Sequence, residues 1–236
     1  GFNHIVGLKP TPGRVSTAGV LPACRSIDCV SIFALSVEDA ARALAVMEGP
    51  DAADPYSAFA PGPGTWPARI RLGVPATLPP DTDAAVVTAF GTACAQARSL
   101  GHTLVALDFE LLDEVAALLY GGPWVAERYT VVGPLLETRP DTIDPTVAAV
   151  VGRATAYSAA DAFLGAYRLR ELAPQAAAMW ERCDALLVPT APGHPTHADL
   201  AADPIGANAR LGRYTNFVNL LGWCAMALPA SVTESH

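Results

Sequence analysis

The chain has 236 residues, 51% of them hydrophobic and 16% charged, with a mean hydropathy of +0.29. So apolar a composition excludes disorder as the overall state, and no stretch approaches the roughly 18–20 consecutive apolar residues that a membrane span needs. Fifteen Lys and Arg against 23 Asp and Glu leave a net charge of −8. That balance argues against nucleic-acid binding and polybasic membrane attachment, and it leaves the attraction of any anionic substrate to a local Arg.

Residues 1–33 are punctuated by Gly7, Pro10, Pro12, Gly13, Gly19 and Pro22. The apolar pieces Ile5-Val6, Val20-Leu21 and Val30–Phe33 predict short strands or extended segments. Ser36 reads as a helix N-cap with Asp39 in the first turn. Val37, Ala40, Ala41, Leu44 and Met47 then recur at helical spacing until Gly49-Pro50. Residues 50–67 form a Pro/Gly-rich loop that includes Pro61-Gly62-Pro63-Gly64. A strand over 69–74, a helix over 81–100 closed by Gly101, and a strand over 102–107 follow. This strand–helix–strand order predicts an α/β architecture. Two helices broken at Gly121-Gly122-Pro123 fill 110–138. A long helix with a kink at Pro174 covers 157–183, a buried strand 185–189 and a loop 191–206, and 208–227 is mixed.

Five cysteines (Cys24, Cys29, Cys94, Cys183 and Cys224) are an odd number, without a CxxC pair or a Cys/His cluster. They support neither a disulfide scaffold nor a zinc site, and they predict reduced thiols in a cytoplasmic protein. His4, His102, His194 and His197 are isolated. His194 and His197 lack a third ligand, so they predict no metal site. Ser16, Ser26 and Ser31 have no base nearby in the sequence, and turn or capping roles suit them better than that of a nucleophile. Lys9, the only lysine, stands next to Pro10 in a punctuated loop and reads as structural.

The most informative local feature is Tyr120-Gly121-Gly122-Pro123-Trp124-Val125-Ala126-Glu127-Arg128. The Gly pair ends one helix, and Pro123 suits the first turn of the next. Arg128 then falls within the first two turns of the second helix, and Tyr120 stands across the break. A helix N-terminus, a guanidinium fork and a phenol OH together make a site for a small carboxylate. The plainer reading is a helix junction with Arg128 in a surface ion pair.

Ile5–Thr11 (IVGLKPT) resembles the stretch that follows the nucleophile region in the amidase signature family. Ser16–Ala34 (STAGVLPACRSIDCVSIFA) and Arg210–Leu221 (RLGRYTNFVNLL) resemble the allophanate hydrolase branch of that family, and Asp184–Pro192 (DALLVPTAP) is shared more widely among amidases. The resemblance covers nearly the whole chain. It implies part of the amidase-signature fold, a mixed β-sheet covered by helices on both faces. It also implies hydrolysis of allophanate to ammonia and carbon dioxide in urea degradation, after a biotin-dependent urea carboxylase has made the substrate. Family chemistry uses a serine nucleophile, a cis-serine and a lysine base, with backbone N–H groups as the oxyanion hole and no metal or organic cofactor.

In that branch a Tyr and an Arg eight residues apart hold the substrate carboxylate, and Tyr120 and Arg128 match in type and spacing. Arg25 is a second branch-typical arginine, with a structural role such as pairing with Asp28. The Gly/Ser-rich nucleophile motif and the catalytic Lys have no match here, and Lys9 corresponds to the non-catalytic Lys of GLKPT. No catalytic residue is therefore assigned. Residues 1–236 are expected to be a single partial amidase domain, truncated at both ends, without an internal linker. By itself the chain is expected to lack amidase activity. Expected partners are the small-molecule substrate and, through it, the urea carboxylase; a homo-oligomer fits, and nucleic acid and membrane do not. Two other readings stay open: an amidase acting on a neutral amide, and a non-catalytic remnant of an amidase.

Overall fold

The computed structural model describes residues 2–62 and 66–230. Pro63 and Gly64 of the Pro/Gly-rich loop, and the polar tail at 231–236, lie outside the described residues. Six strands are found among the described residues: β1 (Val6–Lys9), β2 (Ile32–Ala34), β3 (Arg71–Pro75), β4 (Thr103–Leu107), β5 (Ala185–Leu186) and β6 (Ala225–Ala227). Nine α-helices accompany them among the described residues: α1 (Val37–Met47), α2 (Ala84–Ser99), α3 (Glu110–Gly121), α4 (Trp124–Thr138), α5 (Pro145–Gly152), α6 (Ala159–Ala177), α7 (His197–Ala202), α8 (Gly206–Leu211) and α9 (Asn216–Leu220). The architecture is α/β, as the strand–helix–strand order predicts.

The parallel and antiparallel pairings lie in two three-stranded sheets, β2-β1-β6 and β4-β3-β5. In the first, β1 is central and antiparallel to both neighbours, with Leu8 opposite Ile32 on one side and Met226 on the other. Val6, Ile32 and Ala40 bury its face against α1. The Ser36 hydroxyl starts α1 by accepting the Asp39 N–H at 3.1 Å. In the second sheet β3 is central and parallel to both partners. Parallel strands need a crossover, and α2 supplies it between β3 and β4. Gly73 lies where this sheet is tightest: a Cβ there would stand 2.5 Å from Leu107 and 2.8 Å from Leu186.

The larger core is helical. Leu112, Val115 and Leu119 form a buried stripe on α3, at the spacing of one helix face. Leu172 and Ala176 of α6 and Phe217, Val218 and Leu220 of α9 close over it, and Ile27 and Trp124 pack at its edge. Each fully buried Leu or Phe stabilises this arrangement by about 1.5–3 kcal/mol. The core thus fixes the end of α3, the start of α4 and the 23–28 loop relative to one another.

Several expectations change in detail. Val20-Leu21 is not a strand: Gly19 has φ +80°, the Val20 N–H closes a turn on Thr17 O, and Leu21 is 82% exposed. The helix expected from 81 begins at Ala84, after Asp83. The long helix begins at Ala159 behind a capping box of Ser158 and Asp161. It runs through Pro174 to Ala177 and tightens into a 3-10 turn over Ala178–Glu181. Strand β5 is limited to Ala185–Leu186 rather than 185–189. The stretch 191–206, expected to be loop, contains α7, which a Thr196/Asp199 capping box starts.

Candidate functional site at the α3–α4 junction

Tyr120 is the penultimate residue of α3, and Arg128 is in the second turn of α4. The bend between them needs Gly122, where a Cβ would stand 2.5 Å from Leu118 O. Two residues of distant sequence hold the bend. The Tyr157 hydroxyl donates to Gly121 O at 3.0 Å. Gly165 of α6 lets Pro123 approach so closely that a Cβ would meet its ring at 2.5 Å.

This geometry brings the two expected site residues together. Arg128 Nη2 donates to the Tyr120 hydroxyl at 3.4 Å, and its guanidinium carbon lies 5.0 Å from the centre of the Tyr120 ring. The surface ion pair of the plainer reading is not there: among the described residues Arg128 forms no ion pair. Its Nε is buried and has no hydrogen-bond partner. An unsatisfied buried donor on a cation is costly, and an anionic acceptor removes that cost. Tyr120 is 40% exposed, so the phenol edge of the pair is open to solvent.

The 23–28 loop forms the adjoining wall. Ser26 N–H and Oγ donate to the two Glu127 carboxylate oxygens at 2.6 and 2.7 Å. Cys24 is 2% exposed, and its thiol faces Trp124 O at 3.8 Å. Burial pushes the Cys24 thiol up to about 11, although the neighbouring Arg128 charge works against it. The thiol beside the guanidinium is therefore uncharged at neutral pH. Arg25 does not pair with Asp28. Asp28 accepts the Ala23 and Cys24 N–H groups at 2.8 and 3.0 Å, while Arg25 lies over the Tyr56 ring at 5.6 Å. A cavity of about 220 Å³ opens beside the same loop, lined in part by Thr17, Arg25, Asp28 and Asp54. The Asp54 carboxylate there is already filled by Thr17 N–H, Thr17 Oγ1 and Tyr56 N–H.

The other candidates lie apart. Ser16 Oγ donates to Asp51 at 2.6 Å and Ser31 Oγ to Cys29 O at 3.4 Å. Lys9 Nζ donates to Pro10 O at 2.9 Å, and burial lowers its pKa. His102 Nδ1 accepts the Ile70 N–H at 3.4 Å, and the His194 ring meets Phe2 edge-on. Among the described residues no three His, Cys, Asp or Glu side chains gather as metal ligands. Sequence reasoning missed Glu127 as a partner of Ser26, and it missed Tyr157 and Gly165. The Ser26–Glu127 contact spans 101 positions, so no local pattern announces it.

A helix junction that brings an arginine to a phenol, walled by the 23–28 loop, is set in an amidase scaffold: the chain belongs to the amidase family, which matches residues 1–236. Within it the similarity is to the allophanate hydrolase branch. The urea amidolyases of Lachancea kluyveri and Saccharomyces cerevisiae are each 38% identical over 97% and 99% of this chain, which spans 13% of their length. The structure of Kluyveromyces lactis allophanate hydrolase superposes with a TM-score of 0.93 at 36% identity, over 99% of this chain and 39% of that one. The chain thus covers well under half of each of these relatives. No described helix is long and apolar enough to cross a membrane.

Proposed function

We propose that these residues are the carboxylate-recognition part of an allophanate hydrolase, which splits allophanate into ammonia and carbon dioxide in urea degradation. The observation that carries this reading is the state of Arg128, half-buried, with one donor buried and unpartnered and no carboxylate paired to it. Allophanate is a urea bearing a carboxylate at one end. Arg128 supplies parallel N–H donors to that group and Tyr120 an O–H, so the far end of the substrate is fixed while its amide is presented for attack. Net charge does not draw the anion in, and this one local cation does.

Bond cleavage is proposed to rest on groups outside these residues, in keeping with the serine, cis-serine and lysine chemistry of the resemblance. The substrate links the enzyme to the biotin-dependent urea carboxylase that produces it. The free thiols of all five cysteines suit a reducing, cytoplasmic compartment. The test is ammonia release from allophanate by the complete enzyme and its Arg128→Ala variant. A steep loss in kcat/KM is expected, and unchanged kinetics reject Arg128 as the carboxylate clamp.

A further inference from the structure

We infer that Ser26 and Glu127 are positioning residues that hold the 23–28 loop against α4 and so keep Arg128 ready for the substrate carboxylate. This rests on the reading of Arg128 given above. The loop is closed on itself by Asp28, which takes the Ala23 and Cys24 N–H groups, and by Ile27 and Asp28 N–H donating to Cys24 O at 2.9 and 2.8 Å. Such a turn is stiff internally but needs anchoring to the rest of the molecule. Its charged anchor is the two-pronged contact of Glu127 with Ser26 N–H and Oγ. Both prongs are short and charge-assisted, which makes them directional.

Position makes the anchor functional. Glu127 directly precedes Arg128 on α4, and the loop residue two before Ser26, Cys24, is the buried group whose thiol feels the Arg128 charge. The latch therefore ties the chain neighbour of Arg128 to the loop that carries the thiol beside its guanidinium. Glu127 is the carboxylate closest in sequence to Arg128. Its two oxygens already accept from Ser26, and adjacent helix residues do not face each other. The latch holds the neutral Cys24 thiol beside Arg128, whose buried Nε has no hydrogen-bond partner. Loosening the loop would let water or other protein groups satisfy that cation, and the substrate carboxylate would then have to displace them.

The test uses the complete enzyme with Ser26→Ala, Glu127→Gln, the double variant, Ser26→Thr and Arg128→Ala. Allophanate is the substrate. Biuret, which carries a neutral carboxamide in place of the carboxylate, is the competitive inhibitor. The expected result for each single latch variant is a KM for allophanate raised about tenfold, the scale of a lost charged hydrogen bond. Their kcat should stay near the parent value and biuret inhibition should be unchanged. The double variant should be no worse than the singles, and Ser26→Thr should behave as the parent. If KM stays at the parent value in both latch variants while Arg128→Ala raises it, the latch inference is overturned and the clamp stands. An unchanged KM in Arg128→Ala as well brings down the clamp itself. Weaker biuret inhibition or a collapse of kcat in the latch variants marks a merely structural contact and also overturns the inference.

Discussion

Arg71 and Arg128 show two uses of the same side chain in one molecule. Arg71 opens β3 and binds Asp184 beside β5 through Nη2 at 2.8 Å and Nε at 3.4 Å; its Nη1 reaches Glu181 O, and its own N–H caps the same carboxylate. Every part of that guanidinium is spent within the protein. Arg128 is placed by a helix junction, lies against a phenol and a neutral thiol, and forms no ion pair among the described residues. An arginine that serves the fold is saturated by the fold. The ligand role proposed for Arg128 accounts for an unmet demand that packing alone would not select, because an unpaired buried donor costs stability.

The contrast can be broken at either end. Arg128→Ala should cost about 2–3 kcal/mol in kcat/KM for allophanate, roughly 30- to 150-fold, with little change in the thermal midpoint. A large fall in the midpoint would make Arg128 a structural residue like Arg71. Next in size, Gly165→Ala should force Pro123 away from α6 and destabilise the chain by about 1–3 kcal/mol in denaturant unfolding. A neutral result would mean that the junction is less tightly packed than its 2.5 Å approach implies. Tyr120→Phe, assayed by steady-state kinetics on allophanate, should lose about 0.5–1.5 kcal/mol in kcat/KM, a few-fold to about tenfold, without loss of stability.

The smallest effect belongs to the sheet. The Arg71 hydrogen bonds, side chain first, hold the Asp184 carboxyl below its ordinary value of 3.8. A depressed carboxylate adds stability that is fully present above the ordinary value and is lost as pH falls through the lower, folded one. Asp184→Asn should therefore lower the thermal midpoint slightly at pH 7. The difference from the parent should vanish as the pH is taken into the acid range. A difference that persists there would point to lost packing rather than charge.

Much of the fold was legible because it is local. Ser36 with Asp39, the alternation at 69–74 and the Gly-Gly-Pro break each encode their element within a few residues. The Thr196/Asp199 box was equally local but short, and Pro192 and Pro195 around it read as loop. Val20-Leu21 misled because β-favouring residues follow a left-handed Gly19, and tertiary packing leaves both exposed. At the candidate site, Tyr120 and Arg128 stood out through the Gly-Gly-Pro break and through their resemblance in type and spacing to the allophanate hydrolase branch. Their surroundings could not: Tyr157 reaches Gly121 across 36 positions and Ser26 reaches Glu127 across 101. The structure also removed the surface ion pair that composition alone would favour for an arginine in an acidic chain.

On the proposed reading, Arg128 recognises the charge of the substrate. The measurement that tests this most directly is kcat/KM for allophanate set beside the inhibition constant of biuret, in the complete enzyme and in Arg128→Ala. Arg128→Ala should lower kcat/KM for allophanate about 30- to 150-fold while biuret inhibition stays unchanged. An unchanged kcat/KM for allophanate, or an equal loss of biuret binding, would show that Arg128 does not read the carboxylate's charge.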